Sequence, residues 1–231
     1  MAAALDSIPC ALLGGDLSEP GELRLTGLAR KDAEPAIRAA VARAAPGHRV
    51  AWTVVPFEGA GLCPALDVLR PVAGRFGAPN GLTVGTADGR TFYRDGDIIV
   101  MPVQMPGFPA WLWVDYLSGT GTVDRLHPGA GTRAPHPLPA GARVRVGDEA
   151  QGFSPLEIQP PFGTDLVIFL ASAAPLHDGP RPDRTPAAAY LRELRAALDA
   201  ARRDANPVAA AALVLVTSPA PAPPPPVPAR R

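Results

Sequence analysis

The chain has one lysine, Lys31, among 22 basic residues, only two cysteines, and aromatic side chains at 6% of its 231 positions. Each scarcity excludes something. Acidic residues also number 22, so the net charge is zero. The excess of Lys and Arg that a phosphate-binding surface needs is missing, and nucleic acid is not an expected partner. Two cysteines alone cannot form a structural zinc site, which takes four Cys or His ligands. The four histidines, His48, His127, His136 and His177, show no i,i+4 pair, so neither metal nor cofactor is expected. No run of eighteen apolar residues occurs, which excludes a transmembrane helix and predicts no membrane insertion. The N-terminal MAAALDSIPCALLGGDL carries no basic residue ahead of its apolar stretch, so it lacks the first region of a signal peptide. Ser7-Ile8-Pro9 is a poor lipoprotein signal ahead of Cys10. A cytoplasmic chain is the expectation on that ground, and a periplasmic one if the chain is a detached ectodomain.

What is present is a 47% hydrophobic composition, enough to argue against wholesale disorder. A chain of this length can bury roughly 70% of its unfolded surface. Arginine replaces lysine almost everywhere and alanine is abundant, a habit of GC-rich bacterial genomes. The two cysteines leave two readings open. They are reduced, partly buried thiols, or Cys10 and Cys63 form a disulfide in an oxidising compartment. Both flank the first structural unit, so they are expected to approach each other. A bridge would close a loop of about 50 residues, worth on the order of 4 kcal/mol.

Residues 22–28 alternate and read as a strand. A helix follows, with Asp32 as its cap and Pro35 in its first turn, where the missing N–H costs little. Pro46-Gly47 stops it, and 49–55 alternate again with Val50, Trp52 and Val54 on one face. Residues 20–57 therefore predict a β-α-β unit, resembling the small BON-type module of bacterial envelope proteins in pattern. A short helix from Cys63 through Leu69 completes a unit over 8–76. From residue 82 the period changes to short strands: LTVGT, GDIIVMPVQ, AWLWVDYL, GTVDRLHP, ARVRVGD and DLVIFLAS. Their Gly- and Pro-rich separators predict an antiparallel sandwich, with Thr120-Gly121 as a tight hairpin turn. Thr185 and Pro186 should open an amphipathic helix bearing Tyr190, Leu191, Leu194 and Leu198. Residues 208–217 follow as a buried strand, with a helix as the alternative because alanine favours it. The fold class is α+β: a unit at 8–76, a sandwich at 82–217 completed by a C-terminal helix and strand, and a disordered proline-rich tail at 218–231.

The motif search is negative for GxSxG, GxxxxGK[ST], HExxH, GxGxxG and kinase segments. Ser172 lacks the flanking glycines of a nucleophile turn. Asp115, Asp124 and His127 fall on adjoining strands, where an acid/base pair would make a hydrolase and an ordinary surface would not. The unusual segment is FPAWLWVDY. Alternation puts Trp111, Trp113 and Asp115 on one face, and Leu112, Val114 and Tyr116 on the other. If the aliphatic face is inward, the tryptophans with Asp115 and His127 mark a binding surface. Otherwise the helix at 186–204 or the N-terminal unit covers them.

Val114–Leu117, Gly121–Pro128, Pro160–Leu166 and Ala171–Leu176 together resemble a bacterial family of domains of unknown function that follows serine/threonine kinase or caspase-like peptidase domains. The resemblance spans about 82–180. It supplies no catalytic residues and implies an accessory role with a protein partner, such as a kinase or caspase-like protein. At the residues themselves, Pro160-Pro161 should keep the chain extended, Gly163 should let it turn, and Asp165 should bond the N–H groups of that turn. The expected function is a non-enzymatic sensory or protein-binding module of a bacterial signalling or envelope system. A hydrolase at Asp115, Asp124 and His127, or a scaffold component, is the alternative.

Overall fold

The architecture is that of a computed structural model describing residues 2–19, 21–73, 81–129, 136–177 and 181–220. It is α+β. The N-terminal sheet is β1 (Ala11–Glu19), β2 (Glu22–Arg30) and β3 (Arg49–Phe57), in that order. β1 and β2 are antiparallel, whereas β2 and β3 run parallel, with Glu22 opposite Arg49 and Arg30 opposite Phe57. The crossover is α2 (Glu34–Ala44), so the expected β-α-β unit is present with an antiparallel strand added before it. α1 (Ala2–Asp6) and α2 cover one face around Leu23, Leu25 and Ile37. Asp32 does not cap α2. It lies in a preceding 3₁₀ turn and pairs with the Arg30 guanidinium two residues away. Gly27 is held at φ +136°, where a β-carbon would collide with the Leu12 carbonyl, so the close β1–β2 approach requires glycine.

Residues 74–80, across the expected boundary, lie outside the described residues, as do 221–231 of the tail. α3 (Cys63–Leu69) precedes the boundary, and beyond it come β4 (Thr83–Val84), β5 (Phe92–Arg94), β6 (Ile98–Ile99) and β7 (Met101–Gln104). They are followed by β8 (Trp111–Leu117), β9 (Thr122–His127), β10 (Arg143–Val146), β11 (Leu156–Glu157), β12 (Thr164–Ser172) and β13 (Arg184–Pro186). α4 (Ala187–Arg203) and β14 (Val208–Ser218) close the chain. The main sheet has six strands in the order β13-β9-β8-β12-β14-β5. It is mixed rather than purely antiparallel, because β14 and β5 run parallel. Two small sheets, β10-β7-β4 and β11-β6, lie on one of its faces around Met101, Val103, Val114, Val167 and Phe169.

The other face meets α3, α4 and the N-terminal unit in a single core. Leu12, Leu28 and Phe57 share it with Leu66, Trp113, Ile168 and Leu194. The two expected units are therefore joined by one hydrophobic interior. Burial on both faces explains why β12 reads TDLVIFLAS without alternation. Thr185 belongs to β13 rather than capping α4, and Pro186 holds the cap position, one residue later than expected. α4 buries Tyr190, Leu194, Leu198 and Ala201, a helical stripe.

Cys10 and Cys63 are joined by a disulfide, with their Cα atoms 4.5 Å apart. It ties the start of β1 to the first residue of α3. Peptide mapping without reductant is expected to recover the two cysteines in one cross-linked species. Both thiols alkylating freely in the unreduced, denatured protein would contradict this.

Candidate functional site

β8 organises the residues singled out by the sequence. Trp111, Trp113 and Asp115 do share one face, but that face is the one covered by the helices and the N-terminal unit. Trp113 is 5% exposed, donates its Nε1–H to Ser172 Oγ at 3.2 Å, and meets His177 edge-on. A partner surface built on Trp113 is thereby corrected to a core position, and Trp111 packs half-buried beside it. The hydrophobic face of α4 needed a partner, and the tryptophans supply it.

Asp115 is 2% exposed. Its Oδ2 accepts from the Tyr190 hydroxyl at 2.9 Å, and its carboxylate faces the guanidinium groups of Arg125 and Arg181 at 3.8 and 3.7 Å. The Arg125 side chain is itself 4% exposed, and its Nε has no hydrogen-bond acceptor among the described residues. Burial pushes the Asp115 carboxyl above its ordinary value, opposed by Arg181, the Tyr190 hydroxyl and Arg125. Burial likewise pulls the Arg125 guanidinium down. This is a structural cluster that fixes α4 against β8 and β9.

His127 does not join it. Arg125 sits opposite Asp115 but His127 sits opposite Val114, because Leu126 is an extra residue in β9. The bulge turns His127 to the opposite face, where its ring lies 5.0 Å from that of Phe153. Asp124 stands across from Tyr116 and pairs with Arg184 at 2.6 Å. The acid/base set at Asp115, Asp124 and His127 is therefore split between two faces of the sheet, a register shift that spacing alone does not reveal.

Burial pushes the His127 imidazole down to about 4 from its ordinary 6.5. The unfolded chain takes up this proton near pH 6.5 and the folded chain only near pH 4. The stabilisation is thus complete above pH 6.5 and is lost as pH falls toward 4. It contributes a slope of at most about 1.4 kcal/mol per pH unit. His127→Phe should flatten this part of the dependence in urea unfolding at pH 7 and pH 5. An unchanged dependence would show that His127 is not the group responsible.

The feature that the sequence did not single out as a site is a cleft of about 470 Å³ on the side of the six-stranded sheet away from the helices. This falls in the range of ligand clefts, roughly 300–1,000 Å³. Ile99, Met101, Leu126, Val167 and Leu215 make an apolar floor. Tyr116, Ser118, Asp124 and Arg184 form one wall, and the segment 155–161 forms the other. Tyr116 is fixed by donating to Asp165 Oδ2 at 2.6 Å. Burial and that carboxylate raise the Tyr116 phenol, which stays protonated and donating. Asp165 also accepts from Thr217 Oγ1 and, through Oδ1, from the Gly119 N–H at 2.9 Å. Asp165 therefore serves the β8–β9 turn, not the turn at Gly163 as expected. A β-carbon on Gly119 would stand 2.6 Å from the Thr164 carbonyl, so glycine is required for this approach. Tyr116 and Pro160-Pro161 lie inside segments that stand out in the sequence, but only the folded β6–β11 pair brings them to one cleft.

Among the described residues no group of three or more His, Cys, Asp or Glu side chains is placed to hold a metal ion, and no helix is long and apolar enough to cross a membrane. The chain matches no family model, no curated protein and no solved structure.

Proposed function

We propose that this chain is a non-catalytic protein-binding module that holds an extended, proline-containing apolar segment of a partner in the cleft between Tyr116 and residues 155–161. The observation that carries the reading is the cleft's composition: an apolar floor, one fixed tyrosine, and a wall containing Pro155, Pro160 and Pro161. Three prolines supply no N–H, so that wall is poorly equipped to add a hydrogen-bonded strand. Apolar and aromatic contact with an extended segment suits it better. A place in signalling or envelope assembly, expected from the sequence, is part of the same proposal. The Cys10–Cys63 disulfide favours an oxidising compartment such as the bacterial envelope.

A capped proline-rich peptide titrated into the protein tests the reading. Gln159 lines the cleft and is exposed, so Gln159→Trp plugs the mouth without touching the core. Binding should weaken by about tenfold or more, the loss of a central contact. Unchanged affinity would remove the cleft from consideration.

A further inference from the structure

We propose that two copies of this chain join through β3, pairing antiparallel about a two-fold axis at Trp52 so that their N-terminal sheets become continuous. β3 is nine residues long and, among the described residues, is paired on one side only, by β2. The Arg49 N–H donates to the Gly21 carbonyl at 2.8 Å. Strand alternation therefore aims the backbone groups of Ala51, Thr53 and Val55 at β2, and those of Val50, Trp52 and Val54 outward. Pro56 falls in the outward set, where its missing N–H costs the β2 ladder nothing. Residues 50–57 read VAWTVVPF, an edge without one charged side chain. A long, uncharged edge is a template for pairing with another strand unless it is guarded. The other edges have guards. The six-stranded sheet ends in β13 and β5, three residues each. On β10 the Arg145 N–H is held by the Gln151 side chain, and α1 and α3 flank β1.

The sequence of the edge selects a second copy as its occupant. Outward donors stand only at Val50, Trp52 and Val54. The antiparallel register that uses all of them sets Trp52 opposite its own counterpart, Val50 opposite Val54, and Ala51 opposite Thr53. VAWTV is thus its own complement, as a two-fold interface requires. Every outward N–H then meets an outward carbonyl, and the paired strands set no like charges face to face. Val50, Trp52 and Val54 are half-buried on the α2 side of the sheet. Beside them runs a groove of about 380 Å³ lined by Val41, Ala45, Val50 and Trp52, which would receive the indole of the second copy. Arg38 stacks on the Trp52 ring at 4.6 Å and is neutralised by Glu34 at 2.7 Å, so this pair brings no net charge to the axis.

Sedimentation of the full chain over a concentration series should show a species of twice 23.9 kDa. Val54→Pro removes one outward N–H and leaves the β2 ladder intact, so it should return the mass to 23.9 kDa with the far-ultraviolet spectrum retained. Paired cysteines test the register. A mixture of Ala51→Cys and Thr53→Cys chains should cross-link to a mixed dimer under mild oxidation. Directly opposed Cα atoms in an antiparallel pair lie about 4.5–5.5 Å apart, within disulfide reach. Either variant alone should cross-link far less, because neither cysteine faces itself across the axis. A mass of 23.9 kDa at every concentration would overturn the proposal, and is the result expected if the edge receives a strand of a different protein. A dimer in which the mixture cross-links no better than either variant alone would also overturn it, whatever the fold of Val54→Pro.

Discussion

Asp115→Ala is expected to destabilise the protein by about 3–5 kcal/mol, the cost of breaking a buried ion cluster from one side. The carboxylate is the only acidic group within ion-pair distance of the Arg125 and Arg181 guanidiniums among the described residues. Its loss leaves two cations with little access to water and the Tyr190 hydroxyl without its acceptor. Asp115→Asn keeps the shape and one acceptor, and should cost less than the alanine change. Urea unfolding of the three proteins measures the difference. A loss under about 1 kcal/mol for Asp115→Ala would mean that the arginines find other partners, as exposed pairs do.

Trp113→Ala should also cost about 3–5 kcal/mol, through the cavity left when a large buried side chain is removed. Trp113 fills the space between β8 and the helices, and its indole N–H is satisfied by Ser172. The melting midpoint should fall sharply while affinity for a cleft peptide, measured below the melting transition, stays within about twofold, since the cleft is on the other side of the sheet. A near-wild-type midpoint would place Trp113 outside the core.

These two residues show how far the sequence can be read. Alternation along β8 sorts its side chains into the right two sets, because strand periodicity is local. Which set meets solvent is a tertiary matter. Both faces are covered, so the aliphatic and the tryptophan sets are each largely buried. The β2-α2-β3 unit, α3, α4 and the strand character of 208–218 follow from patterns and breakers within each segment. The alanine run in β14 is a strand despite its helical propensity because Ala209–Ala212 pair with Ile168–Ala171 of β12, the central buried strand. β1 is harder to read, since Gly14-Gly15 gives it little strand signal. β5, β11 and β13 are two or three residues long and exist through their pairing partners. The cleft is least legible of all, because its walls come from segments some forty residues apart, and the one-residue bulge at Leu126 that turns His127 away is invisible to spacing.

The most direct test of the cleft as the binding surface is photo-crosslinking with a capped proline-rich peptide bearing a benzophenone, followed by peptide mapping of the protein. The account predicts adducts concentrated on residues 155–161 and on Tyr116, Ser118 and Leu126, lost when Gln159 is tryptophan. Adducts centred instead on the exposed Phe92 and Val216 of the β5–β14 edge, and insensitive to Gln159→Trp, would contradict it.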